Sequence, residues 1–306
     1  MLDELFITVM LTSVPLIYAA IGELVAERSG VLNLGVEGMM LMGAVAAFGA
    51  ASYVAHPLFG AYVGIIAGGI AGGLTACIFA FFVLGLATNQ VATGLALTIF
   101  GAGLSGLLGA PLVGQAIEGL PRYSMPVLSE IPVIGGVFAL DIMAYLAVFI
   151  VFLVHRFLYH NPAGLVLRSV GANHHSAHAL GYSVLKVRFY AICFGGVMAG
   201  LGGAYLPLVL TPHWAEGMTA GRGWIALALV VFAAWKPNRV IIGALLFGGI
   251  TIMQLAGQAK GWAVPTQFMS MLPYLVTIFV LVMMSRISRF SIGAPAELGH
   301  PFIPGR

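Results

Sequence analysis

The sequence predicts an all-α membrane protein of about eight to ten spans, on three observations. Of its 306 residues, 60% are hydrophobic and only 8% are charged, against roughly a quarter charged in an ordinary soluble domain. Apolar runs recur from Leu5 to near Ser285, so most of this chain is surrounded by lipid and not by water. The few cations are grouped: in the stretch from His155 to Arg188, at Lys236 and Arg239, and at Arg286 and Arg289. Grouped Lys and Arg beside apolar runs set orientation in a membrane, so the net charge of +3 is a topology signal and not a nucleic-acid patch.

Crossing a hydrocarbon core of ~30 Å takes about 20 helical residues. On that scale nine spans are expected, near 4–24, 31–52, 60–84, 90–110, 139–158, 188–208, 220–235, 239–257 and 268–286. Polar, Pro or Gly punctuation bounds them, as at His56-Pro57, Thr88-Asn89-Gln90, Asn161-Pro162 and Lys236-Pro237-Asn238. The acidic start MLDEL lacks the cations of a secretory signal, so the first span is expected to stay in the mature chain. With the basic stretch 155–188 inside, alternation puts the N-terminus and residues 111–138 (with Glu118, Arg122 and Glu130) outside. The turn from Lys236 to Arg239 and a short tail, 287–306, then lie inside, and residues 1–306 form one transmembrane domain.

Many of the 41 glycines fall four apart, as in Gly64/Gly68, Gly69/Gly73 and Gly196/Gly200, with Gly202 and Gly203 following. Small residues at that spacing let helix backbones approach where lipid removes the hydrophobic drive. The run Gly101-Ala-Gly103-Leu-Ser-Gly106 matches GxGxxG in letters but follows no strand, so it is no dinucleotide site. No GxxxxGKS/T run occurs, so the chain has no ATP site of that kind and any ATP is bound by a separate subunit. Cys77 and Cys193, isolated in apolar spans, read as small buried hydrophobes.

Polar residues inside spans are the exceptions. Asn33 and Glu37 are four apart, which on a helix puts them on one face. An ionisable group in a span costs at least ~2.5–3.5 kcal/mol, so it faces a polar path or a partner. Gly30, Gly35 and Gly38 around this pair suggest an irregular helix beside a translocation path, with a structural pin as the alternative. Thr93 and Gln254 are weaker path candidates. Trp214, Trp224 and Trp262 lie near outer span ends and read as an aromatic belt. His174, His175 and His178 have no acid or cysteine beside them in their loop, so they read as solvated and not as zinc ligands. No Ser/His/Asp or paired-carboxylate set falls at one depth, which leaves a membrane enzyme without catalytic groups.

The stretch from His155 to Arg188 carries Arg156, Arg168, Lys186 and Arg188, no acid, and five of the eight histidines. Within it, helix-compatible runs at 163–170 and 174–180 flank a hinge at Gly171-Ala172-Asn173. Two short helices joined at a glycine make a rigid knob that suits a push from a partner protein, and a plain connection seldom needs thirty residues.

Four blocks now bear on family: ERSGVLNLGVEGMMLMGA at 27–44, GLPRYSMPVLSEIPVIGG at 119–136, GLVLRSVGANHHSAHALGYSV at 164–184, and GRGWIALALVVFAAWKPNRVIIGALLFG at 221–248. On these the sequence resembles the permease subunits of ATP-binding-cassette importers of the branched-chain amino acid, ribose and nucleoside type, most of all the nucleoside and simple-sugar branch. The resemblance implies a type II importer-like permease of the bacterial plasma membrane, with no cofactor of its own. It also implies three partners: a second and usually different permease subunit, a cytoplasmic ATP-binding subunit, and an extracytoplasmic substrate-binding lipoprotein. The family's ATPase-coupling segment, within 159–187, maps onto Arg168, Gly171, Asn173, Ala177 and Gly181. Where the family has an Asn-Pro pair and alanines, this chain has Asn173-His174-His175-Ser176-Ala177. The implied activity is alternating-access import of nucleosides or simple sugars; an ion-coupled transporter using Glu37 is the alternative.

Overall fold

The computed structural model describes residues 2–54, 56–123, 135–261, 265–286 and 293–303. Trp262, Glu130, Arg289, most of the block at 119–136, and residues 287–292 and 304–306 of the tail lie outside the described residues. The described chain is helical in the order α1 (Leu2–Arg28), α2 (Val36–Ser52), α3 (Pro57–Ala80), α4 (Gln90–Gly109), α5 (Ile142–His160), α6 (Pro162–Ala172), α7 (His174–Ala179), α8 (Val184–Tyr205), α9 (Arg222–Phe232), α10 (Pro237–Ala259) and α11 (Thr266–Arg286). The knob is α6 and α7, and the other nine helices meet the nine expected spans.

Among the described residues, six helices are long and apolar enough to cross a membrane: α1, α3, α4, α5, α8 and α10. Helices α2 and α9 have only 17 and 11 residues. Each is preceded by chain that forms no helix, at 29–35 and 211–221. The punctuation read from the sequence becomes helix starts. Side-chain oxygens of Asn89, Asp141, Asn161 and Asn173 accept from the first-turn amides of Ala92, Ala144, Ala163 and Ser176 at 2.8–3.0 Å. Pro57, Pro162 and Pro237 open their helices, where a missing N–H costs nothing.

Helices α1, α2, α3 and α8 form the packed centre, and glycine decides how close they come. A Cβ on Gly72 would collide with the Gly196 carbonyl and Gly200, and one on Gly43 with Gly200. That contact gives the four-residue glycine spacing its physical role, because dispersion between touching backbones replaces the absent hydrophobic drive. Tyr205 donates to Asp141 at 2.7 Å and Tyr18 to the Met143 carbonyl at 2.8 Å, which ties α1, α5 and α8 together.

Two expectations are corrected here. Trp214 is 2% exposed, packed with Ala44, Val45, Phe48 and Leu112, and so belongs to the interior and not to a belt. Its ring lies against Gly109, where a side chain on α4 would have excluded it. Cys77 and Cys193 do not stand alone either: their sulfurs are 3.6 Å apart across the α3–α8 contact.

Candidate functional site

Two joints in the backbone carry the chemistry of this chain. The first is the start of α9. Glu37, in the first turn of α2 and 7% exposed, directs both carboxylate oxygens at it. Oε1 accepts from Thr219 Oγ1 at 2.6 Å and from the Gly221 amide at 2.8 Å, and Oε2 accepts from the Gly223 amide at 2.6 Å. A helix that begins inside the bundle leaves N–H groups and a partial positive charge, and this carboxylate satisfies both.

Asn33 does not share a helix face with Glu37, because α2 begins only at Val36. Its Oδ1 accepts from the Gly35 amide at 2.9 Å, a local turn that competes with helix, and its own amide donates to Glu23 Oε1 at 3.0 Å. Gln90 Oε1 accepts from the Leu32 amide at 2.8 Å, and Thr98 donates to the Leu34 carbonyl at 2.9 Å. The non-helical chain at 29–35 is therefore satisfied by side chains of α1 and α4, as buried irregular backbone must be. Thr93 pairs with Thr88 at 2.8 Å and borders an apolar cavity of about 550 Å³ with Phe79, Phe82 and Phe100. Gln254 is half-buried on α10. The four path candidates are thus not gathered around one cavity. An exposed carboxyl that sequence reasoning passed over, Glu216 on the 211–221 chain, instead borders a cavity of about 440 Å³ with Leu41, Thr98, Ile99, Ala102 and Gly103.

The second joint is the knob. Its break falls at Asn173 alone, an extended residue at φ −159° and ψ 99°, and Gly171 lies inside the last turn of α6. Gly171 rests on the Arg28 carbonyl at the end of α1, where any Cβ would collide. Ala177 is buried with Val170 and Val184, so both residues are packing contacts beneath the knob. Asn173 and Gly181 are exposed, Gly181 at φ +88° with open space around it. Arg168, half-buried, lays its guanidinium over the Tyr159 ring at 5.1 Å.

Beneath the knob, two arginines hold chain ends together: Arg188, which the sequence showed only as a topology charge, and Arg28, which it showed only within the block at 27–44. Arg28 donates to the Trp235 carbonyl at 2.8 and 3.1 Å and to the Gly293 carbonyl at 3.1 Å. Glu27 accepts from the Trp235 indole. Ala234 and Trp235, at φ +49° and +54°, form the left-handed turn that brings both groups within reach. Arg188, fully buried, donates to the carbonyls of Ser29 at 3.2 Å and His300 at 2.9 Å, and its third nitrogen lies 3.2 Å from His174 Nδ1.

His174 is correspondingly buried and not solvated as expected. Burial first, and then the Arg188 guanidinium, hold its imidazole below the usual histidine value of 6.5, with Glu297, 3.1 Å away, pulling the other way. Among the described residues no group of His, Cys, Asp and Glu is placed to hold a metal ion.

The model of the family described as branched-chain amino acid transport system, permease component, matches residues 5–281. TsgC13 of Haloferax volcanii, provisionally named a glucose ABC transporter permease protein, is 40% identical over 292 residues, 87% of each chain. The nucleoside ABC transporter permease protein NupC of Lactococcus lactis is 31% identical over 90% of each chain. The guanosine ABC transporter permease protein NupQ of Bacillus subtilis is 31% identical over 95% of this chain and 94% of its own. A solved inward-facing ABC transporter overlays at a TM-score of 0.47 and 14% identity, over 91% of this chain and 85% of that one, too loosely to add weight. With a family match that runs through all the candidate spans, and with spans, knob and joints in place, the chain belongs to the ABC transporter permeases of the branched-chain amino acid transport type, and is a multi-pass membrane transport subunit.

Proposed function

We propose that this chain is one half of the translocation path of an ATP-binding-cassette importer for nucleosides or simple sugars, working by alternating access in a bacterial plasma membrane. A second permease of different sequence completes the path. An ATP-binding subunit pushes on α6 and α7 from the cytoplasm, and a binding lipoprotein delivers cargo from the other side. The observation that carries this reading is the contact of Gly171 with the Arg28 carbonyl. Backbone on backbone is a stiff joint, so a displacement of the knob passes into α1, which packs against α5, α8, α9 and α10. Relatives named for guanosine, nucleosides and glucose support a neutral cargo rich in hydrogen-bond donors. In this reading cargo passes beside α4 and the 211–221 chain, past Glu216, and Glu37 holds α9 in register with that path. Asn33 holds the 29–35 chain that leads into α2, and Thr93 and Gln254 are half-buried on α4 and α10. With three bonds accepted, Glu37 is poorly placed to act as a mobile proton carrier.

The test is uptake of labelled guanosine, uridine or glucose by vesicles holding the whole complex. Uptake is expected to need ATP and to survive a protonophore; uptake at full rate without ATP would overturn the reading. Gly171→Leu is expected to abolish uptake while the protein still inserts, because the larger side chain forces α6 off the end of α1.

A further inference from the structure

The segment 293–303 lies along the underside of the knob. Each of its attachments is specific. The Glu297 amide donates to the Gly171 carbonyl at 3.0 Å and the Gly299 amide to the Gly30 carbonyl at 3.2 Å. The Gly293 and His300 carbonyls accept from Arg28 and Arg188. Phe302, 6% exposed, packs with Val170, Ala177 and Val184 and meets the rings of His174, His175 and His178 at 5.2, 5.9 and 5.3 Å. Gly30, at φ +91°, leaves room for Arg188 Nη2 and the Glu297 carbonyl, both of which crowd the place its Cβ would take. The segment thus touches the knob, the end of α1 and the start of α8 together.

We infer that this C-terminal strap is a working part of the coupling element, with Glu297 and Phe302 as positioning residues that clamp the α6–α7 knob onto α1 and α8. The inference rests on the knob being the surface an ATP-binding subunit pushes. A knob hinged at Asn173 would tilt under load at that break; strapped on its inner side, it transmits the load. His174 makes the clamp sensitive to protonation, because the groups that face it are of both signs: Arg188 from α8, Glu297 and His300 from the strap, and His175 beside it on α7. Neutral, its Nδ1 accepts from Arg188; protonated, the same atom donates to Glu297 but stands as a second buried cation against that guanidinium, and burial and Arg188 together outweigh Glu297. Its folded value is depressed, so the clamp is complete above about pH 6.5 and weakens as pH falls through the folded value.

The test measures cargo moved per ATP hydrolysed by the reconstituted complex, for wild type, for a chain lacking residues 294–306, and for Glu297→Gln, Phe302→Ala and His174→Gln. Removing the Glu297 charge leaves the buried Arg188 guanidinium without its counter-charge, which shifts the docked-to-free ratio of the strap by roughly tenfold. Cargo per ATP is therefore expected to fall by about that factor in Glu297→Gln, and further in the truncated chain, with ATP hydrolysis retained. If the truncated chain fails to assemble, the two single strap variants decide the matter. In wild type, cargo per ATP is expected to drop below pH 6.5, and in His174→Gln that drop is expected to vanish, a readout that mere misfolding would not give. Wild-type ratios in both strap variants, or a pH profile unchanged in His174→Gln, overturn the clamp while leaving ATP-driven import intact. A wild-type complex that moves cargo without ATP overturns the proposed function itself, and the clamp with it.

Discussion

The joint at α9 and the joint under the knob hold broken backbone with opposite charges. At α9 one carboxylate, Glu37, accepts from Thr219, Gly221 and Gly223. Under the knob two guanidiniums, Arg28 and Arg188, donate to the carbonyls of Trp235, Gly293, Ser29 and His300. The signs follow from which end of a chain segment is left bare, since helix starts offer N–H groups and segment ends offer C=O groups. The arrangements differ in reach as well. Glu37 serves one helix start, whereas the arginines bind the end of α1, the α9–α10 turn and the strap into one unit. The interior joint should therefore fix the fold, and the knob joint should fix how motion enters it.

Glu37→Ala attacks the interior joint and carries the largest expected effect. It leaves three donors in a dry interior without an acceptor, a loss of about 3–5 kcal/mol. Thermal unfolding of the purified chain in detergent measures it, and Glu37→Gln, which keeps one acceptor oxygen, should lose roughly half as much. A variant with alanine that melts with wild type would erase the contrast between the joints. Arg188→Met comes next. It removes two bonds to carbonyls but fills the same space, so about 2–3 kcal/mol is expected. That loss should be local: amide exchange should rise at Glu297 and Gly299 well before the bundle melts.

The contrast also explains what the sequence made legible. The long spans could be read because apolar length is a one-dimensional property, and the helix starts at Asn89 and Asn161 could be read as span bounds because Asn before Pro or an apolar run has one local job. The glycine seam was visible as spacing. Glu37 was visible as an expense, an acid in lipid, but its partners are more than 180 residues away and no local pattern names them. Arg188 was masked by the orientation signal it also supplies, and the Trp235 and Gly293 carbonyls that Arg28 binds lie more than 200 residues away. His174 was misread because its burial comes from Phe302 and Arg188, on other segments. The strap was read as a tail for the same reason: APAELGHPF has neither periodicity nor length, and it folds only because the knob and α1 offer it carbonyls and an apolar floor.

The smallest expected effect separates two roles for one exposed residue. Asn173 caps α7, its Oδ1 accepting from the Ser176 amide at 2.8 Å, and α7 has only six residues. Asn173→Ala should cost about 1 kcal/mol, enough to fray so short a helix while leaving the strap and α6 docked. Asn and Asp cap equally well, so Asn173→Asp should restore uptake to near wild type if the residue matters only for the shape of the knob. If Asp fails as Ala does, the amide itself meets the ATP-binding subunit, whose surface would then reject a carboxylate there. In that event the exposed side of the knob would be a point of recognition, and the division of labour between its two sides would lie at the Asn173 break, with recognition beyond it and load-bearing beneath.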